Sequence, residues 1–282
     1  MNNRTYLSPA SFRQSLESRL QAISKNTTID LQRIRRKVAF ERFLARLFYE
    51  RPYSWVLKGG YALEVRFELS RATKDLDLGT RLKITGTIEE QQSILHQKLQ
   101  KCAAINLDDY FVFQIGSSAK LIESAPAGGF RFNIRSMMAG RLFVSFSLDI
   151  GMGDVLTPPI EEIEGENFLE VYGIPPARFQ AISLEQQFAE KIHAMTVKRG
   201  ERENSRVKDL VDVLLLIKVG LNRKRVMSCL ENTFQCREKS APPSLAPIPP
   251  ESWREPFKEL ASECGLDHDF DAAVTVLSSY WK

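Results

Sequence analysis

The amino-acid sequence predicts a mixed α/β (α+β) protein: a mixed-sheet core with a helical N-terminal segment and a mostly helical C-terminal part. Three observations predict it. Helical periodicity fills residues 8–50 and most of the chain after 184. Short apolar or alternating runs, punctuated by glycine, lie between residues 53 and 182. The composition is ordinary for a globular chain, with 282 residues, 43% hydrophobic, 26% charged, 15 Gly and 13 Pro.

Ser8 before Pro9 is an N-cap followed by proline at the first helical position, so a helix is expected over 8–25. Thr28 opens a second helix over 28–50, in which Leu31, Ile34, Val38, Phe43, Leu44 and Leu47 form an apolar stripe. Tyr53–Leu57 reads as a strand ending at a Gly59-Gly60 turn, followed by a helix over 61–68. Lys74–Leu78 alternates charged and apolar residues, the pattern of a half-buried strand. A helix over 87–103 and a strand over Tyr110–Ile115 follow. Phe130–Met137 and Leu142–Ile150 flank Ala139-Gly140 and predict an antiparallel hairpin. Its phenylalanines alternate, as core residues of a half-buried strand do. Phe179–Ile182 predicts a last strand, and helices follow over 184–197, 204–219, 222–236, 252–263 and 269–281. The proline-rich stretch Ala241–Pro250 is a connection rather than a helix. Two domains are expected, 1–182 and 183–282.

No run approaches the roughly 20 apolar residues of a membrane span. The N-terminal stretch lacks the apolar core of a secretory signal, so a cytoplasmic protein without membrane partners is expected. Cys102, Cys229, Cys236 and Cys264 lack metal-ligand spacing and read as reduced thiols. No coiled-coil seam or large apolar patch is readable, which leaves oligomeric state open, and a monomer is the expectation. The net charge of +4 is too small to diagnose nucleic-acid binding, but basic residues cluster. Arg33, Arg35, Arg36, Lys37, Arg42 and Arg46 face one acid, Glu41, in a single segment. Lys198, Arg199, Arg202, Arg206 and Lys208 form a second run. Such runs track phosphate backbones, although most charge runs are solvated faces.

Asp75 and Asp77 are two apart on a predicted strand, so both carboxylates share one face while Leu76 and Leu78 enter the core. Adjacent carboxylates repel, and a divalent cation with oxygen ligands is the usual compensation. Asp149, at the end of another predicted strand, is the candidate third ligand, with Asp154 a substitute. Gly59 and Gly60 would let backbone N–H groups approach phosphate oxygens at a helix start. Each feature alone is weak. Their order, with a helix between them, is more specific.

Lys58-Gly59-Gly60 and the stretch from Arg71 to Asp77 resemble the AbiEii nucleotidyltransferase toxins, a branch of the DNA polymerase β-like superfamily. The resemblance continues in Glu190-Lys191-Ile192-His193 and in Lys208-Asp209-Leu210-Val211-Asp212. It implies a nucleotidyltransferase fold and transfer of NMP from an NTP, with release of pyrophosphate. By that resemblance Asp75, Asp77 and Asp149 would hold Mg²⁺ or Mn²⁺, with Asp75, Asp77, Lys191 and Asp209 catalytic. Lys58, Gly59, Gly60, Tyr61, Arg71, Lys74 and Lys191 would contact the NTP, CTP being slightly favoured. Tyr61 departs from the small hydroxyl residue usual at its position. Lys191 would neutralise the triphosphate, oriented by Asp209 and, in support, Asp212. Without the resemblance, both read as an ordinary solvated lysine and a helix-start carboxylate. His193 reads as a packing histidine.

The resemblance further implies a toxin of a toxin–antitoxin or abortive-infection pair, acting on the 3′ end of tRNA and blocked by a cognate antitoxin protein. Arg35, Arg36, Lys37, Arg42, Lys198 and Arg199 are then the candidate RNA-binding residues. Two alternatives stay open: a nucleotidyltransferase with a small-molecule or protein hydroxyl acceptor, and a non-catalytic RNA-binding module.

Overall fold

The computed structural model describes residues 8–27, 29–122, 125–197 and 203–281. Two helices come first, α1 (Pro9–Thr27) and α2 (Leu31–Leu47). Ser8 caps α1 by accepting from the Ser11 N–H, as expected. Asp30 caps α2, accepting from the Arg33 N–H at 3.0 Å; Thr28, where the sequence opens this helix, lies outside the described residues. Strand β1 (Trp55–Lys58) leads directly into α3 (Gly59–Arg66), and β2 (Asp75–Thr80) follows. The expected glycine turn is thus shortened to the first residue of the helix, where Gly59 has φ +67°.

Helix α4 (Ile88–Ala103) starts from a capping box between Thr87 and Glu90. A meander of β3 (Phe111–Leu121), β4 (Gly129–Met138) and β5 (Arg141–Gly151) comes next. Ala139 and Gly140 both have positive φ in the β4–β5 turn, the backbone a two-residue hairpin needs. Then come β6 (Ile160–Glu164) and β7 (Arg178–Ile182). The sheet has seven strands in the order β3-β4-β5-β2-β1-β7-β6 among the described residues. It is mixed: β2 pairs parallel with β5 and antiparallel with β1, and β1 pairs parallel with β7.

The chain divides into two compact units. The first comprises residues 1–61, 72–153 and 162–181, and the second residues 62–71, 154–161 and 182–282. In the first, the alternating hairpin buries Phe130, Phe132, Ile134, Phe146, Leu148 and Ile150. Phe40 and Phe43 of α2 meet Phe146 edge-on, with ring centroids 4.8 and 5.8 Å away. The aromatic hairpin is core, as its alternation predicts.

The second unit is built on α5 (Leu184–Thr196), α6 (Val207–Val219), α7 (Arg223–Glu238), α8 (Arg254–Glu263) and α9 (Phe270–Trp281). Its core gathers Phe188, Ile192, Leu210, Leu214, Trp253, Phe257 and Phe270. Helix α6 begins at Val207, later than the sequence predicts, because Asn204 has another task. Its side-chain amide donates to the carbonyls of Ala194, Met195 and Val197, satisfying the open end of α5.

Candidate active site

Strand β2 carries the acidic pair as its alternation requires. Leu76 and Leu78 are fully buried, and Asp75 and Asp77 are displayed on the opposite face. Residues opposite each other in a sheet register share a face, so the pairing shows what flanks them. Asp77 is in register with Lys58 of β1 on one side and with Asp149 of β5 on the other. Asp149 is in turn opposite Arg131 of β4, and Arg131 opposite Lys120 of β3. The row across the sheet therefore reads Lys58, Asp77, Asp149, Arg131, Lys120. One step along it, Asp75 lies beside Ser147 and then Asn133. The structure thus brings Asp149 beside the acidic pair, where the sequence could place it only at a strand end.

Gly59 is fixed by this row. A Cβ there would lie 2.0 Å from Oδ2 and 2.7 Å from Cβ of Asp77, and its φ of +67° disfavours any side chain. The Asp77 carboxylate consequently sits at the N-terminus of α3, where the partial positive charge of the helix favours an anion.

The third acid is not idle. Arg131 donates from Nε and Nη2 to the two oxygens of Asp149, both at 2.6 Å. That fork raises the guanidinium pKa above its ordinary value; Asp75 and Asp77 add to the rise, against a desolvation cost that lowers it. The donor set is all oxygen and suits a hard divalent cation. Asp75 and Asp77 already share a face, but among the described residues no group of three or more ligating side chains is closed around a metal position. Arg131 stands as the counter-cation of Asp149. The residues present fit such an ion: Asp75 and Asp77 would hold it, and Asp149 would join them on exchanging Arg131 for the ion. Sequence reasoning missed Arg131, although β4 advertised it: Arg131, Asn133 and Arg135 alternate with Phe130, Phe132 and Ile134.

In the second unit, Lys191 of α5 donates to Asp209 Oδ1 of α6 at 2.8 Å and lies 2.7 Å from Asp212 Oδ2. Arg71 grips the same Asp212 from Nε at 3.0 Å and Nη2 at 2.8 Å. Burial pulls the Lys191 ammonium down, but the two carboxylates more than reverse this and hold it above the ordinary lysine value. Burial would likewise raise Asp212, yet Lys191 and Arg71 hold it below the usual carboxylate range. Lys191 and Asp209 are therefore in direct contact. The other oxygen of Asp209 is buried without a hydrogen bond, 3.7 Å from Arg206. Arg71, read from sequence as a nucleotide contact, is committed to Asp212.

Other sequence expectations need correction. Tyr61 is fully buried, edge-on to Phe40 at 4.9 Å, and its hydroxyl donates to the Lys37 carbonyl; it is a core residue, not a phosphate contact. Arg42 is buried, donating at 2.7 Å to Asp109, which Arg46 also grips through both carboxylate oxygens. It therefore belongs to no exposed RNA track. Arg35 pairs with Glu17 at 2.9 Å, Lys37 pairs with Glu166, and Nε of Arg36 is buried. The α2 basic run is largely consumed inside the fold. Lys74 is exposed, and Lys198 and Arg199 lie outside the described residues. Asp154 is held by Arg237 at 2.6 Å and is no substitute for Asp149. His193 packs on Phe234 beside Glu238, as a packing histidine does.

A family model described as nucleotidyl transferase AbiEii toxin, type IV TA system, matches residues 42–276. No curated protein matches the chain. Among solved structures, MenT4, a nucleotidyltransferase toxin from Mycobacterium tuberculosis, superposes with a TM-score of 0.52 at 14% identity over 86% of each chain. JHP933 from Helicobacter pylori gives 0.47 at 16% identity, over 90% of this chain and 91% of that one. A putative nucleotidyltransferase from H. pylori gives 0.46 at 15% identity, over 90% and 94%. At 14% identity, the first of these shows a shared fold.

Proposed function

The chain belongs to the AbiEii nucleotidyltransferase toxin family of type IV toxin–antitoxin systems, and on that premise we propose that it transfers NMP from an NTP to the 3′ end of tRNA and so blocks translation. Nucleotidyltransferases of this kind use an NTP with a divalent metal, and a type IV system supplies an antitoxin partner. No helix among the described residues is long and apolar enough to cross a membrane.

The observation that carries the reading is the register of Asp77 with Asp149, two residues along from Asp75, beside a glycine that admits no side chain. Asp75, Asp77 and Asp149 would hold Mg²⁺, which when bound supplies charge neutralisation at the phosphates and acidifies the acceptor hydroxyl. The N–H groups of Gly59 and Gly60 at the start of α3 suit phosphate oxygens. Lys191, kept charged by Asp209 and Asp212, suits the charge that builds on departing pyrophosphate. CTP is the NTP we favour. Positioning and electrostatics supply most of the acceleration in displacement at phosphorus.

The test is transfer of α-³²P from each of the four NTPs to intact tRNA and to tRNA whose 3′-terminal diol has been oxidised with periodate. Label on intact tRNA alone is expected. Equal labelling of both would place the acceptor elsewhere, and labelling of protein in preference to tRNA would replace the RNA reading.

A further inference from the structure

The sheet of the first unit has two unlike faces. Its apolar face packs against α2 and α4, whereas the polar residues of β3, β4 and β5 are open: Gln114, Lys120, Arg131, Asn133, Arg135 and Ser145 are all exposed. Arg131 is in register with Lys120, and Arg135 with Gln114 and Ser145. Neither Lys120 nor Arg135 has an ion-pair partner among the described residues, in contrast to Arg35 and Lys37 of α2. The acids on this face are Asp149, already matched by Arg131, and beyond it Asp75 and Asp77.

We propose that this open face of β3–β5, through Lys120 and Arg135 with Asn133 between them, is the surface that seats the 3′-terminal strand of the RNA acceptor. The inference rests on the proposed function for the identity of the occupant. Its charge fits a polyanion, and it is continuous with the acidic row: Lys120 and Asp149 are two strands apart, roughly 10 Å. A phosphate backbone lying over β3 and β4 would be drawn by the cations and end beside the carboxylates. The aromatic side chains of these strands are on the buried face, so no base-stacking platform is offered. Contacts are to phosphate and ribose, and binding is indifferent to base sequence.

The experiment measures the Kd of the full chain for a tRNA 3′-end hairpin across a salt series, with Lys120→Glu/Arg135→Glu beside Arg35→Glu/Arg36→Glu. Lys120→Gln/Arg135→Gln keeps the question open should charge reversal disturb folding. The sheet-face reversal is expected to raise Kd on the order of tenfold, and the loss of two phosphate contacts to flatten the log–log salt slope by about 1.4. Turnover at saturating RNA should stay within about twofold, so KM moves and kcat does not. The α2 pair should bind as wild type does. A sheet-face variant with wild-type Kd and salt slope overturns the proposal, as does a wild type that binds no RNA. Sedimentation showing a dimer that Lys120→Glu/Arg135→Glu dissociates would assign the face to a second copy and overturn it too. Should the wild type bind RNA through this face yet transfer no label, the proposed reaction falls and the surface stands.

Discussion

A methyl group added to Gly59 would lie 2.0 Å from Oδ2 of Asp77 and 2.6 Å from its Cγ. Because the Asp77 Cβ is also within 2.7 Å, rotation of the carboxylate alone cannot relieve the clash, and the backbone has to move. With the positive φ, Gly59→Ala should cost about 1–3 kcal/mol of stability. It should also lower nucleotide transfer more than tenfold, because Asp77 is displaced. Thermal unfolding and label transfer on the same preparation check both parts; full activity would separate Asp77 from the chemistry.

At the proposed metal site, Arg131 would compete with the ion for Asp149. Replacing it with glutamine removes the fork that holds both oxygens at 2.6 Å, so Mg²⁺ should bind several-fold more tightly in a calorimetric titration. Unchanged or weaker Mg²⁺ binding in Arg131→Gln would show that Asp149 takes no part in the ion's coordination.

The buried network of the second unit should respond sharply to loss of its cation. Lys191→Met leaves Asp209 without its ammonium partner and Asp212 with Arg71 alone. Stranding buried carboxylates in this way costs about 3–5 kcal/mol, measurable by urea unfolding. Adding Asp209→Asn should recover part of that loss. Measured beside Asp209→Asn alone, a double variant whose loss equals the sum of the two single losses would mean that the two residues are not coupled.

Glu41 gives the first unit a pH signature. Burial pushes its carboxyl up to about 7, against the lowering effects of the Ala177 N–H and of Arg42. A folded-state value above the unfolded one means that folding takes up a proton. The stabilisation is complete below about pH 4.5 and is lost as pH rises toward 7. Its full extent is roughly 3 kcal/mol. The stability of Glu41→Gln relative to wild type should therefore rise between pH 4.5 and 7.5, as read from urea midpoints. A difference that is flat with pH contradicts the assignment.

Short-range periodicity made much of this molecule readable. The two-residue alternation of β2 put Asp75 and Asp77 on one face, and the alternating phenylalanines marked the buried side of the hairpin. Partners distant in sequence were not readable. Arg42 looked like part of an exposed basic run because its counter-ion, Asp109, is 67 residues away. Arg131 was invisible as a partner of Asp149 until the β4–β5 register was known. Strand β6 escaped because Ile160-Glu161-Glu162-Ile163-Glu164 has too few apolar residues to alternate, as suits an edge strand that discourages further pairing. Tyr61 misled by position: the family pattern assigned it to the nucleotide, whereas its aromatic ring fills the core beside Phe40.

If the carboxylates gathered on β2 and β5 drive nucleotide transfer to tRNA, Asp77 is indispensable to the reaction. The most direct test is transfer of label from α-³²P NTPs to total tRNA with Mg²⁺, wild type beside Asp77→Ala. Label on tRNA from the wild type, abolished in a folded Asp77→Ala protein, is the predicted result. Absence of label from folded wild type, or equal labelling by the variant, would contradict it.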